Sequence, residues 1–191
     1  MIPVGSLTLA NQLTILRIVL IPVFVLCTVY GALGWAVLVF LVAGATDALD
    51  GLIARATHQP TSLGAWLDPM ADKLLLVTTF VVLTLPQIEL VNHLPLWLTI
   101  LVISRDVVIV GVVAIVNLAV GKRTFRPSLW GKLATAVFLL TTIVVMYYNW
   151  RGTASPAVRG MIWLSLALTL VSSADYLRRL RGLINEPTAP S

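Results

Sequence analysis

Charge is what this chain has least of. Of 191 residues only 11% are charged, against about 25% in soluble domains, while 59% are hydrophobic. A surface so poor in charge cannot face water. That excludes a soluble globular protein and predicts one integral membrane domain over 1–191. A single cysteine, Cys27, excludes an intramolecular disulfide framework. The first sixteen residues hold no Lys or Arg, and the first cation, Arg17, stands inside an apolar run, so a cleavable signal peptide is not expected. Convincing internal repeats and low-complexity tracts are lacking too. The balance of 13 Lys and Arg over 8 Asp and Glu gives a net charge of +5. In a membrane protein this points to cytoplasmic loops and lipid phosphates before nucleic acid.

What is present is apolar sequence in long runs. A spanning helix needs about 20 mostly apolar residues. Six windows qualify, near 9–30, 33–57, 66–85, 94–119, 128–150 and 156–180. Gly and Pro separate them: Gly31 and Gly34, Pro60 to Gly64, Pro86 to Pro95, Gly121 to Pro127, and Gly152 to Pro156. Trp35, Trp66, Trp97, Trp130 and Trp150 stand at span ends, as an interfacial aromatic belt requires. The expected architecture is therefore all-α, an integral membrane bundle of six transmembrane helices. Arg55, Lys122, Arg123, Arg126, Lys132, Arg178, Arg179 and Arg181 fall on one side, and only Arg151 and Arg159 on the other. The positive-inside rule then places both termini in the cytoplasm.

The scarce acids are not scattered. Half of them, Asp47, Asp50, Asp68 and Asp72, occur within "DALDGLIARATHQPTSLGAWLDPMADK" at the predicted cytoplasmic ends of spans two and three. Asp47 and Asp50 are three apart, and Asp68 and Asp72 four apart, so each pair shares a helix face. Brought together by the loop between the spans, four carboxylates repel one another unless a counter-charge is supplied. Oxygen-only ligands suit Mg²⁺ or Mn²⁺. Two such ions about 3.5–4 Å apart are the arrangement used for phosphoryl chemistry. Gly51 and Ala54 keep the same helix face open to a ligand, Arg55 offers a cation to phosphate, and Thr61 and Ser62 add hydroxyls. The set reads as a pocket for a metal-bound diphosphate.

Asp47, Asp50, Gly51, Ala54, Arg55, Gly64, Asp68 and Asp72 spell D-x2-D-G-x2-A-R-x8-G-x3-D-x3-D. This resembles the signature of the CDP-alcohol phosphatidyltransferases. "NQLTILR", "ISRDVVI" and "RPSLWGKLATA" resemble further segments of the bacterial phosphatidylglycerophosphate synthases and CMP-forming cardiolipin synthases. The resemblance covers nearly the whole chain. It implies transfer of a phosphatidyl group from CDP-diacylglycerol to an alcohol, with release of CMP, at the cytoplasmic face of the cell membrane. It implies that Asp47, Asp50 and Asp68 ligate two metal ions. Asp72 would contribute to the second ion and act as general base. Gly51, Arg55 and Thr61 would contact the nucleotide diphosphate, helped by Asn11 and Thr14. Homodimers are frequent in the family.

Two acceptors fit, glycerol 3-phosphate and phosphatidylglycerol, both bearing phosphate. Arg105, Arg123, Arg126 and Lys132 are the cations available to hold it. Short loops without an extra lipid-gripping segment favour glycerol 3-phosphate, although Asp106 in "ISRDVV" follows the cardiolipin synthase pattern. Other readings of these charges exist. The acids could pair structurally with Arg17 or Arg105, or form an ion pathway in a divalent-cation transporter. A transporter would need acids deep in several spans and broken helices, whereas these four cluster at one loop. Arg105 and Asp106 could form a local polar network. Arg17 is expected to snorkel to the interface. Arg178, Arg179 and Arg181 read as lipid-headgroup anchors, and His58 as a solvated loop residue.

Overall fold

The computed structural model describes residues 9–57, 64–120 and 128–185, with side chains over 12–46, 70–112 and 128–179. Six helices occur in chain order: α1 (Leu9–Val29), α2 (Leu33–Thr57), α3 (Gly64–Thr84), α4 (Leu96–Val120), α5 (Leu129–Trp150) and α6 (Pro156–Asn185). Each coincides with one predicted window to within a few residues. Among the described residues, three stretches are long and apolar enough to cross a membrane: Gln12–Val29, Leu129–Trp150 and Pro156–Arg179. Large apolar side chains such as Val19, Leu26, Ile100, Val107, Leu140 and Leu170 point outward, each more than half exposed. Outward leucines and valines on successive helices suit lipid rather than water. The buried positions are instead rich in Thr, Ser, Ala and Asn.

Two compact units are distinguished. One comprises 1–93 and 142–155, the other 94–141 and 156–191, so α5 is divided between them. In the first unit α1 packs against both α2 and α3. Its buried stripe is Thr14, Arg17, Ile21, Phe24 and Thr28. The spacing alternates three and four residues, which keeps one seam on a single face. Facing it on α2 are Ala36, Val39, Phe40, Ala43 and Thr46, and on α3 Ala71, Leu75, Leu76, Thr79, Phe80 and Leu83. The Phe24 and Phe40 rings meet in a tilted contact with centroids 6.0 Å apart. Thr28 and Thr79 return their hydroxyls to Phe24 O at 2.9 Å and Leu75 O at 2.7 Å, so these buried polar groups need nothing further.

Two turns rest on glycine. Gly31 ends α1 with φ 73° and Gly152 follows α5 with φ 64°. The second completes a paired terminal motif: Gly152 N donates to Asn149 O at 3.0 Å and Thr153 N to Tyr148 O at 3.1 Å. Asn149 itself, 2% exposed, ties this turn to the connection between α3 and α4. Its Oδ1 accepts from Asn92 N at 2.7 Å, and its Nδ2 donates to Asn92 O at 2.9 Å. Asn92 Nδ2 donates in turn to Thr153 O at 2.9 Å.

In the second unit α4 packs on α6. Trp97 and Trp163 meet near the helix starts, with centroids 6.1 Å apart. Farther along, Tyr176 donates its hydroxyl to Ile109 O at 3.3 Å. The two helices therefore run parallel. Thr141 on α5 and Ser165 on α6, both fully buried, share a hydrogen bond of 2.8 Å, as small polar residues do between membrane helices.

The Asn149 clamp yields a stability prediction. Asn149→Ala strands the Asn92 backbone N–H and C=O in a buried position and should cost about 2–3 kcal/mol. Asn149→Asp keeps the acceptor but loses the donor and should fall between. Thermal unfolding in detergent measures both, and an unchanged midpoint for Asn149→Ala would refute the clamp.

Candidate active site

The carboxylates are carried by two helices that α1 brings into register. Asp47 and Asp50 lie on the second half of α2, Asp68 and Asp72 on the first half of α3. The α1–α2 connection is a tight turn, so these two helices are antiparallel. Phe24 and Phe40 mark one level of the pair. Seven residues toward the same end, about 10 Å along the axes, stand Arg17 on α1 and Asp47 on α2. At that level Arg17 Nη1 donates to Asp72 Oδ1 on α3. One turn farther come Thr14, Asp50 and Asp68. The helix backbones thus bring the four predicted positions and Thr14 to one end of the first unit.

The side chains of Asp47, Asp50, Gly51, Arg55 and Asp68, and that of Asn11, lie outside the described set, as do Thr61 and His58 altogether. Among the described residues no group of three or more His, Cys, Asp or Glu converges; Asp72 is the one member of the quartet within that set. Its side chain remains 42% exposed while its partner Arg17 is 0% exposed. Thr14 is fully buried in the same stripe.

This pair corrects one expectation. Arg17 does not snorkel to the interface: it occupies an inward position of the α1 seam, and a carboxylate comes to it. The pairing envisaged as a structural alternative is thus found for Asp72, the one of the four acids whose side chain is described. Arg17 falls three residues after Thr14, four before Ile21 and seven before Phe24, so it interrupts the buried stripe and not the lipid-facing side.

The acceptor cations can be described within the second unit. Arg105, with 10% of its side chain exposed, donates Nη1 to Asp106 Oδ1 at 2.7 Å. Its Nε is buried without a hydrogen-bond partner. The guanidinium lies against the first turn of α5: a Cβ added to Gly131 would come within 3.2 Å of Arg105 Nη2. Ser128 caps that turn, accepting from Gly131 N at 2.9 Å. A helix N-terminus and a guanidinium both carry positive potential. Lys132, in the same turn and exposed, adds a third source. The cluster carries more positive potential than Asp106 offsets and is suited to an anion such as phosphate. Gly131 is the residue that sequence reasoning missed here; its role lies in the absence of a side chain. Arg123 and Arg126 lie outside the described residues. At the end of α6, Arg179 donates Nε to Asp175 Oδ2 at 3.0 Å.

Against known proteins, the family model "CDP-alcohol phosphatidyltransferase" matches residues 7–171, a stretch that includes residues of both units. A Mycobacterium tuberculosis protein named "Probable phosphatidylglycerophosphate synthase" is 32% identical over 179 residues, covering 90% of this chain and 80% of the relative. The Pseudomonas fluorescens CDP-diacylglycerol--glycerol-3-phosphate 3-phosphatidyltransferase is 34% identical over 182 residues, 90% of this chain and 89% of that one. The Streptomyces coelicolor cardiolipin synthase (CMP-forming) is 39% identical over 117 residues, 58% of this chain and 52% of its own length.

Proposed function

Because the chain belongs to the CDP-alcohol phosphatidyltransferase family, we propose that it is a membrane enzyme that transfers the phosphatidyl group of CDP-diacylglycerol to glycerol 3-phosphate. The products are phosphatidylglycerophosphate and CMP. The observation that carries the chemistry is the shared level of the two aspartate pairs on α2 and α3, with Asp72 held there by Arg17 and still open on one side. The reading includes six membrane spans, both termini in the cytoplasm and the aspartates facing the cytoplasm of the cell membrane, supported by the Lys and Arg bias of the loops.

The donor set fits a hard divalent cation. Asp47, Asp50, Asp68 and Asp72 offer only carboxylate oxygens, the chemistry that Mg²⁺ or Mn²⁺ prefers, and the exposed part of Asp72 leaves room for a ligand. Two such ions, when bound, would neutralise the diphosphate and acidify the acceptor hydroxyl. The residues of the chain do the rest. Gly51, Arg55 and Thr61, with Asn11 and Thr14, hold the nucleotide diphosphate. Asp72 takes the hydroxyl proton as the acceptor oxygen bonds to the phosphorus that carries diacylglycerol. The bond from that phosphorus to the bridging oxygen breaks, and CMP leaves with the electron pair. Arg105 and Lys132, with Arg123 or Arg126, hold the acceptor phosphate.

Coverage favours glycerol 3-phosphate. Relatives named for that acceptor or its product align over nine-tenths of this chain. The cardiolipin synthase, though more identical locally, aligns over 58%. That local identity and the sequence "ISRDVV" are the observations that favour phosphatidylglycerol as a second reading. The deciding measurement supplies purified enzyme with CDP-diacylglycerol, Mn²⁺ and each acceptor separately, and identifies the lipid by mass. Product with phosphatidylglycerol alone would overturn the acceptor assignment.

Three expected outcomes follow from the site. Excess EDTA, Asp47→Asn or Asp68→Asn should each abolish CMP release; full turnover in EDTA would defeat the metal reading. Asp72→Asn should lower kcat by about 10²–10⁴, with a smaller change in the KM for CDP-diacylglycerol. Arg105→Ala should raise the KM for glycerol 3-phosphate far more than that for CDP-diacylglycerol, and Gly131→Val should shift it in the same direction by displacing the guanidinium. Equal rises for both substrates would remove Arg105 from the acceptor site.

A further inference from the structure

We propose that Arg17 is a positioning residue for Asp72: from the buried seam of α1 it holds Oδ1 and fixes the direction in which the rest of the carboxylate is presented to the acceptor hydroxyl. The inference rests on the reading of Asp72 as the base. Its first support is the asymmetry of the pair. A salt bridge that serves only to hide an acid buries both partners; here the cation is 0% exposed and the carboxylate 42% exposed. The buried partner is the more confined one. Thr14, Ile21 and Phe24 flank it along the same seam and are themselves buried, so the guanidinium sits on the covered face of α1. Its planar fork loses less freedom per hydrogen bond than a lysine amine would.

The second support is where α1 is anchored. The seam that carries Arg17 also carries Phe24, which meets Phe40 of α2. Asp72 on α3 is therefore held by a helix whose own position is set by α2, the element that bears Asp47 and Asp50. Through Arg17, the base is registered to the other aspartates across two helix interfaces. A buried ion pair is a poor source of stability compared with apolar packing, so stability alone does not account for a charge at this seam position. A misplacement of a reacting group by about 1 Å costs up to about a hundredfold in rate, which is the effect Arg17 guards against.

The test uses the full chain purified in detergent, with Arg17→Gln, Arg17→Lys, Asp72→Asn and the double variant Arg17→Gln/Asp72→Asn. Arg17→Gln should lower kcat by about ten- to a hundredfold, with Arg17→Lys between it and the parent. The KM for CDP-diacylglycerol should stay within about threefold, since binding is not what is lost. The affinity of the substrate-free protein for Mn²⁺, read by electron paramagnetic resonance, should likewise stay within about threefold. The double variant should match Asp72→Asn alone, because a residue acting through another adds nothing once that other is gone. Full kcat in Arg17→Gln beside an inactive Asp72→Asn would overturn the proposal alone. A fall in Mn²⁺ affinity parallel to the fall in kcat, or a double variant slower than Asp72→Asn by the whole Arg17→Gln factor, would overturn it too. If Arg17→Gln does not fold, Arg17→Lys carries the test, and loss of folded protein there as well would assign Arg17 to structure only. Near-normal turnover in Asp72→Asn would instead sink the base assignment on which the proposal stands.

Discussion

A fully buried arginine has to be answered by an anion, and among the described residues that anion is Asp72. Several features of the first unit follow from that one requirement. The guanidinium cannot be left alone in the α1 seam, because removing one partner of a buried pair costs about 3–5 kcal/mol; the half-exposed carboxylate places this pair toward the lower end. Satisfying it forces the start of α3 to lie beside α1, two turns from the Phe24–Phe40 contact. The same geometry brings the aspartate-bearing ends of α2 and α3 to one level. The interaction that joins α3 to α1 is thus also the one that holds Asp72 in the proposed site.

The rest of the packing is made of weak, local terms. Threonine hydroxyls return to their own helix carbonyls, glycines end helices in the left-handed region, and one hydrogen bond joins Thr141 to Ser165. In lipid there is no large hydrophobic gain from joining two apolar helices, so close packing of small residues and satisfied polar groups carry the association. The Asn92–Asn149 clamp ties the end of α5 to the connection between α3 and α4.

In the proposed reaction two sets of charged residues divide the chemistry between them. Carboxylates on α2 and α3 suit cations and, through them, a diphosphate. Arg105, the capped start of α5 and Lys132 suit an anion directly. A transferase that joins a nucleotide-activated lipid to a phosphorylated alcohol needs both kinds of surface, and a cation transporter needs only the first. Asp106, bonded to Arg105, anchors the guanidinium from one side and leaves its net positive field only partly offset.

The sequence by itself determined the helices and the spacing of the acids along them. Apolar runs broken by Gly and Pro are readable because helix length and turn residues are local properties, and all six helices stand where those runs predict. The aspartate spacing is equally local, since three- and four-residue intervals define a face within one helix. What only tertiary structure decided is what each charge meets. Arg17 belongs to a span as apolar as its neighbours, and nothing within that span states whether it turns toward lipid headgroups or toward α3; the answer depends on which face of α1 is covered. Gly131 gives no sign in sequence that its missing side chain makes room for Arg105, because the clash it avoids is with a residue on another helix. Contacts between helices are decided by packing faces, and a face acquires its meaning only when a neighbour covers it.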